Sequence, residues 1–479
     1  MFNIEIQPFH IIAAIAALIL IISIFTRSMY GLYLYLAALI FFPDVSWGVA
    51  KGVPIFDLYG KGTGQLFFSL INIYLWCLFF GGVIVRSSGS KAYRACNIKQ
   101  YFWAYNILFL GYIIYGISTG ITPDKILSQK GVINIFNMSL ITLLMIRLIA
   151  SENEIRRFTD FFLICVFSRG IFGFIRFAFM GGDIANVYQN TQNINITITF
   201  FDINDSLLAS MAAFFSAWML MFNLKSLSRR RRIFYFLLIV LELFIIIFSY
   251  RRTSWGGLLL AGMLFGLLQP VARRITVMFG IGLMAMIMLA TVVVSRFAKF
   301  SGGKGNEVIN MLFYDVKPSL ESGRFSELYQ AFQTIKKEPL FSVGPWGGYG
   351  PHGLHDFMHS GLIHVWLKSG LFGLLLFLAI FFGFILFVFR HRKQLSPAHR
   401  GWYESGLAGI LFMIPTIAMG TPIIEFRTMQ LLGITLALPY IAYGIYGNRS
   451  IQNNGKVRKR YTFAEAYCTH NKLSSERAN

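Results

Sequence analysis

The sequence predicts an all-α protein that crosses a membrane many times. Of its 479 residues, 56% are hydrophobic and only 13% are charged, whereas soluble globular proteins carry about 25% charged residues. The mean hydropathy is +0.60, and apolar runs long enough to cross about 30 Å of hydrocarbon recur along most of the chain. Aromatic side chains make up 16% of the residues, which suits a lipid-facing protein with aromatic belts at the membrane interfaces.

The apolar runs predict about 12–14 transmembrane helices. They lie at 8–25, 29–43, 66–85, 101–119, 132–150, 160–180, 197–222, 232–249, 253–269, 275–295, 366–390, 402–420 and 428–446. The first run lacks the basic segment and the small-residue cleavage site of a signal peptide, so we expect an anchor. The chain then divides into four parts: a bundle of about ten helices at 1–295, a hydrophilic loop at 296–365, transmembrane helices at 366–447 and a basic tail at 448–479.

The excess of basic residues predicts the orientation in the membrane and not a nucleic-acid partner. Lys and Arg number 43 against 21 Asp and Glu, a net charge of +22. The basic residues cluster in alternate loops, as expected of cytoplasmic loops. These clusters are at 86–99, 225–232, 273–274, 390–400 and 456–460. The loop at 296–365 then faces the outside. The four cysteines have no Cys-x-x-Cys spacing, which argues against a disulfide framework or a zinc ribbon.

Five arginines depart from this charge distribution. Arg251 and Arg252 lie at the outer membrane boundary, Arg324 lies in the outer loop, and Arg169 and Arg176 lie within one apolar run, seven residues apart and so on one helical face. A charge at membrane depth is costly, so such residues usually face the bundle interior and pair with another group.

Two interpretations of these arginines remain open. The first is that each pairs with a nearby carboxylate, for which the sequence offers Asp183, Asp202 and Asp205. The second is an anion site at the outer leaflet, because arginine is the preferred bidentate partner of phosphate. The chain has no glycine-rich phosphate loop, so a lipid-linked phosphate or pyrophosphate is favoured over a nucleotide.

Four of the eight histidines fall within residues 352–364. His355 and His359 have the i, i+4 spacing of a zinc-protease helix, but Asp356 stands where that motif has Glu, and only His352 offers a third ligand. The alternatives are interfacial histidines without chemistry, and a general base. A neutral imidazole, with an ordinary pKa near 6.5, can take a proton from a sugar hydroxyl.

Several segments are similar to those of bacterial O-antigen ligases. His359-Ser360, nine residues and then Gly370-Leu371-Phe372-Gly373 resembles their H-[N/S/Q]-x9-G-x-x-[G/T/Y] motif. The stretch 324–347 resembles the R…A-x6-P-L-x-x-x-G approach to that histidine, and F-S-Y-R-R-T-S-W resembles the family's outward arginine segment. F-F-D-I-N-D-S-L-L-A resembles its Asn-Asp/Leu-Ala segment, so the resemblance spans roughly 200–440. Two departures are Ser360 in place of the commoner Asn and the doubled Arg251-Arg252.

The resemblance implies a GT-C-like fold with one large periplasmic loop before the last three helices. It also implies a bacterial inner-membrane enzyme that faces the periplasm and needs neither metal nor nucleotide, so we expect no cofactor. Family members include ligases that attach polysaccharide to lipid A–core, Wzy-type polymerases and protein O-oligosaccharyltransferases. We expect a polymerase of O-antigen or exopolysaccharide, with a ligase as the alternative and a lipid-linked oligosaccharide flippase or transporter as the alternative from another class.

The expected partners are an undecaprenyl-pyrophosphate-linked glycan, an acceptor glycan or lipid, membrane lipids and proteins of polysaccharide export. The resemblance implies an inverting transfer in which His359 deprotonates the acceptor hydroxyl. Arg252 and Arg324 would bind the pyrophosphate, and Arg251 is the competing assignment for Arg252. Further contacts to the carrier or glycan are expected from Arg169, Arg176, Tyr349, His352, His355 and Asp356. An intramembrane metalloprotease remains a third possibility.

Overall fold

The computed structural model describes residues 28–42, 70–85, 90–122, 132–184, 186, 196–297, 324–350, 353, 355, 358–420, 423 and 425–447. Within these ranges the regular elements are helices, and Tyr349 and His355 form an isolated β-bridge. The protein is therefore an all-α polytopic membrane protein, as the sequence predicts. The expected anchor at 8–25 and the basic tail at 448–479 lie outside the described residues.

Fourteen α-helices are described along these ranges, numbered in chain order. They are α1 Ser28–Phe41, α2 Leu70–Val85, α3 Lys91–Ala95, α4 Lys99–Ser118, α5 Val132–Leu148, α6 Glu152–Phe179, α7 Ile203–Asn223, α8 Arg229–Ile247, α9 Arg252–Leu267, α10 Val271–Phe297, α11 Arg324–Lys337, α12 Gly361–His391, α13 Gly401–Met419 and α14 Phe426–Gly447. Seven helices of the described part are both long enough and apolar enough to span a membrane, namely α4, α6, α7, α10, α12, α13 and α14. Three shorter apolar helices, α1, α2 and α5, accompany them. The total of 12–14 transmembrane helices stays a prediction.

The centre of the bundle consists of α7, α13 and α14, which are largely buried, whereas only 6% of residues 273–290 of α10 are buried. Glycines allow the closest helix contacts, because small residues let backbones approach in a membrane where lipid competes for apolar surface. A Cβ on Gly257 of α9 would lie 2.0 Å from the carbonyl oxygen of Phe412 in α13. A Cβ on Gly433 of α14 would lie 2.7 Å from the carbonyl oxygen of Met138 in α5.

Helices α9 and α12 run in the same direction, as contacts at both of their ends show. Where the two helices end, the guanidinium of Arg392 donates to the carbonyl of Leu268 at 3.2 Å. Where they begin, Gly257 of α9 packs against Phe412 in the second half of α13, and Gly361 of α12 packs against Ile417 and Gly420 at its end. The residues that precede or open these two helices therefore lie at one end of the bundle.

The loops rich in basic residues meet at the opposite end. Trp218 near the end of α7 donates to the carbonyl of Pro397 at 2.7 Å, and Tyr443 of α14 donates to Gln394 at 2.9 Å. The short helix α3 packs against Gly444 of the same helix α14. The alternating charge pattern of the sequence thus corresponds to two ends of the bundle, one with basic loops and one at which α9 and α12 begin.

Candidate functional site

Helices α11 and α12 form a module with a small hydrophobic core of its own. Ala331 and Ile335 of α11 pack with Tyr349, Met358 and Leu367 in a cluster separate from the main core of the bundle. The apolar residues of α11 lie four apart, the spacing that gives a helix one buried face. This core holds α11 and the loop that follows it against the first turns of α12.

A break in α12 fixes that loop. Gly370 has φ 65° and ψ −177° within the helix, so the N–H of Leu371 is free to donate to the carbonyl of Leu340 at 3.0 Å. A Cβ on Gly370 would lie 2.0 Å from this same carbonyl oxygen. Gly370, the first of the two glycines of the histidine motif, is required both for its left-handed backbone and for the close approach of the preceding loop.

Two side chains of α12, both a few residues before the break, secure the same loop. The indole of Trp366 donates to the carbonyl of Pro339 at 2.9 Å. The ammonium of Lys368, which is buried, donates to the carbonyl of Gly347 at 2.6 Å. The segment P-L-F-S-V-G-P-W-G and the histidine motif therefore form one interlocked structural unit, although 20 or more residues separate many of their contacts.

His359 immediately precedes α12, and its imidazole faces α11. The Nδ1 atom of His359 lies 2.8 Å from Oε2 of Glu327. The two side chains are 35% and 30% exposed, so the pair is accessible to a ligand while the module shields most of it. A carboxylate on Nδ1 holds the imidazole in the tautomer that carries its proton there, and this leaves Nε2 as the acceptor. This arrangement suits a general base.

Tyr349 and His355 lie beside this pair. Tyr349 and His355 exchange backbone hydrogen bonds at 2.9 and 3.2 Å, and their rings lie 5.6 Å apart. Burial, and secondarily the carboxylate of Glu327, raise the pKa of Tyr349 to about 12. The Tyr349 hydroxyl thus stays protonated at neutral pH and cannot act as a base, while the exposed His355 remains open to a ligand.

The metal interpretation of the histidine cluster gains no support from the described residues. His352 and Asp356 lie outside them, and within them no three His, Cys, Asp or Glu side chains are grouped so that they could hold a metal ion. His359 and His355, the i, i+4 pair of the sequence, face different partners, Glu327 and Tyr349.

The two arginines of the α8–α9 turn have different surroundings. Arg251 is partly buried and donates through Nη1 to the carbonyl of Phe201, whose ring lies 4.9 Å from the guanidinium carbon. Arg252 is exposed and opens α9, and it therefore lies at the same end of the bundle as His359. Arg324 opens α11 about one helical turn before Glu327, and its side chain is outside the described part of the structure.

Arg169 is engaged in a buried ionic network at the centre of the helix bundle. Its guanidinium forms a bidentate pair with Asp205 at 2.9 and 3.2 Å. Arg427 of α14, which is fully buried, donates to Asp205 at 3.1 Å, to Asp202 at 2.7 Å and to the carbonyl of Ile40 at 3.1 Å. The network ties α1, α6, α7 and α14 together. Of the two interpretations that the sequence left open for Arg169, the structure shows pairing with a carboxylate.

Arg176, seven residues further along α6, has an acidic partner as well. It is buried and forms an ion pair with Asp183 just beyond the helix. The ring of Phe200 lies 4.3 Å from the guanidinium carbon of Arg169 and 5.0 Å from that of Arg176. The structure thus brings Arg169 and Arg176 into one charged cluster, but it does not bring them to the surface of the site.

Sequence reasoning missed Glu327, Lys368 and Arg427. Glu327 lies in the stretch 324–347 that resembles the approach to the histidine, and its amphipathic helix was the only signal that it could face a partner. Lys368 lies inside the nine-residue spacer of the histidine motif, where a cation in an apolar run marks a buried group. Arg427 in I-E-F-R-T carried the same signal, a charge at the edge of an apolar run.

The fold and the site together define a multi-pass membrane protein with a histidine–carboxylate pair at the end of the bundle opposite the basic loops. Residues 237–378 match the family model described as O-antigen ligase. The match covers the α8–α9 turn, α11, His359 and the break at Gly370, so the resemblance found in the sequence is confirmed over this stretch. Over residues 237–378 the chain is therefore similar to O-antigen ligases. A comparison with curated proteins found no match.

Proposed function

We propose that this enzyme moves a glycan from undecaprenyl pyrophosphate to an acceptor hydroxyl at the periplasmic face of the bacterial inner membrane, as a polysaccharide polymerase. The observation that carries the proposal is the contact between His359 and Glu327. It supplies an oriented base within the stretch that matches the O-antigen ligase family. The exposed Arg252 at the same end of the bundle supplies a cation for a diphosphate.

The reaction is a single displacement at the anomeric carbon. Nε2 of His359 takes the proton of the acceptor hydroxyl while the hydroxyl oxygen attacks the anomeric carbon. Nδ1–H donates to Glu327, so that the imidazolium is stabilised as it forms. The new glycosidic C–O bond forms as the bond to the phosphate oxygen breaks, and its electron pair leaves with undecaprenyl pyrophosphate. The configuration inverts, and the imidazolium then releases its proton to water.

The arginines act on the leaving group. Negative charge develops on the phosphate oxygen as the glycosyl bond breaks, and guanidinium groups fixed in advance stabilise it without reorganisation. Arg252 and Arg324, each the first residue of a helix, would hold the pyrophosphate, and no metal would be needed to neutralise the departing charge.

The orientation follows from the basic loops. The end of the bundle at which they meet faces the cytoplasm under the positive-inside rule. His359, at the opposite end, then faces the periplasm, where lipid-linked glycans are presented after transport.

The test is transfer by the purified protein reconstituted in lipid, with EDTA present, from a purified undecaprenyl-pyrophosphate-linked glycan. A ladder of longer glycans on the carrier supports the polymerase, whereas a single shift of added lipid A–core indicates a ligase. Loss of all transfer in EDTA, restored by a divalent cation, contradicts the metal-independent mechanism. Binding of the lipid without turnover, together with its movement between leaflets, indicates the flippase or transporter alternative.

A further inference from the structure

The α8–α9 turn is connected to the segment 196–202 by an unusual set of contacts. Phe201 directly precedes Asp202, the N-cap of α7, so neither its N–H nor its carbonyl has a partner inside that helix. The N–H donates to Oδ2 of Asp183 at 2.8 Å, and the carbonyl accepts from Arg251. Two charged side chains, of Asp183 and Arg251, therefore bond the backbone N–H and the backbone carbonyl of Phe201.

The same segment is fastened to the end of α8. The N–H of Thr199 donates to the carbonyl of Phe248 at 3.0 Å, and its hydroxyl donates to the carbonyl of Ile245 at 3.0 Å. Ile198 in turn accepts from the N–H of Asp183 at 3.0 Å. Segment 196–202 is thus fastened to α8 and to Asp183, and Arg251 adds a contact to its Phe201 carbonyl.

The turn itself has a backbone conformation that needs external support. Tyr250 has φ 53°, in the left-handed region that a bulky residue rarely adopts. Its ring packs with Ile196, Ile198 and Phe201 in a small cluster outside the main core. The residue that follows this strained position is Arg251, and the next is Arg252, the first residue of α9.

We propose that Arg251 is a positioning residue, which clamps the α8–α9 turn to Phe201 and thereby fixes the direction of Arg252, the pyrophosphate ligand. This inference rests on the proposed function. It assigns different roles to the doubled arginines: the partly buried Arg251 bonds to the protein, and the exposed Arg252 bonds to the substrate. The clamp extends back to α6, because Asp183, which accepts from the N–H of Phe201, also forms an ion pair with Arg176.

Hydrogen exchange of the reconstituted full-length protein tests the clamp without any activity. In Arg251→Met the carbonyl of Phe201 loses its donor, so exchange in peptides spanning 196–204 and 248–256 should rise about tenfold. Arg251→Lys, which keeps one donor, should restore exchange to within about twofold of the wild type. Arg252→Met is the matched control, and equal exchange in Arg251→Met and Arg252→Met would overturn the proposal.

Inorganic pyrophosphate, used as an inhibitor of transfer, tests whether Arg251 acts through Arg252. Arg251→Met alone should weaken this inhibition several-fold, but it should add less than about twofold when Arg252 is already Met, because residues acting through one another are not additive. If the two substitutions weaken the inhibition independently, so that their effects multiply in the double variant, Arg251 is itself a pyrophosphate ligand and the clamp is overturned. If the wild type transfers no glycan, the proposed function fails, and hydrogen exchange still decides on the clamp.

Discussion

Glu327 of α11 and His359, just before α12, are in direct contact, with Oε2 of the carboxylate 2.8 Å from Nδ1 of the imidazole. The two residues are 32 positions apart in the chain. The break at Gly370 and the loop fastened to it hold α11 against α12, and so they hold this pair in register. The geometry of the pair therefore depends on contacts that lie more than ten residues away from His359.

Glu327→Gln should lower kcat by about 10- to 100-fold, because a hydrogen bond to a charged group contributes about 1.5–3 kcal/mol. The glutamine keeps the size of the side chain but cannot stabilise an imidazolium as a carboxylate does. The KM for the lipid-linked donor should change little. Glu338→Gln, at an exposed carboxylate in the same segment, is the matched control. Equal kcat values for the wild type and Glu327→Gln would show that the carboxylate does not assist His359.

Gly370→Ala should separate the loop from α12. The new Cβ would require an unfavourable φ of 65° and would lie 2.0 Å from the Leu340 carbonyl oxygen, so we expect a loss of stability above about 1 kcal/mol together with a fall in transfer. Thermal unfolding in lipid nanodiscs measures the first effect. Gly111→Ala, at a helical glycine with open space around it, is the control and should not lower the stability, because alanine is more favourable than glycine in a helix. A Gly370→Ala protein as stable as the wild type would contradict the role given to this break.

Asp205→Asn should strongly destabilise the bundle. It leaves Arg169 and Arg427 buried without their shared carboxylate, and breaking a buried pair costs about 3–5 kcal/mol. Asp160→Asn is the control, because its ion pair with Arg231 is half exposed at 3.4 Å and such pairs contribute about 0–1 kcal/mol. The two unfolding temperatures are compared in one detergent. Normal stability of Asp205→Asn with loss of donor binding would instead support a substrate-contact role for Arg169.

Tyr349→Phe should keep transfer within about threefold of the wild type between pH 7 and 9. Because burial and the Glu327 carboxylate raise the pKa of Tyr349 to about 12, its hydroxyl carries its proton throughout this range and supplies no base. Initial rates of transfer at several pH values are the measurement. A loss above about 100-fold would place the Tyr349 hydroxyl in the reaction itself.

The helices could be predicted closely from composition, because each backbone polar group in hydrocarbon must find its partner within a helix. Their ends depend on single residues. The run expected at 197–222 begins as a helix only at Ile203, since Asp202 caps it by accepting from the N–H of Asn204. The helix expected from 366 begins at Gly361, because a search for apolar runs excludes His364, which α12 buries.

The site could be predicted only in part. A motif and its spacing were sufficient to propose His359, because the pattern is local. Glu327 could not be chosen among the carboxylates, since its contact with His359 depends on how the loop at 338–350 folds back and on where α12 breaks. Arg169 was open to two interpretations for the same reason: its pairing with Asp205 depends on the packing of α6 against α7, which a single sequence does not specify.

The measurement that tests the account most directly is the rate of glycan transfer by His359→Ala. The matched control is His391→Ala at the other end of α12, where the imidazole lies against the carbonyl of Phe387. Both variants should fold and bind the lipid-linked donor. We expect His359→Ala to lose about 10²- to 10⁴-fold in kcat, the usual contribution of a general base, and His391→Ala to match the wild type. Transfer at the wild-type rate by His359→Ala would contradict the account.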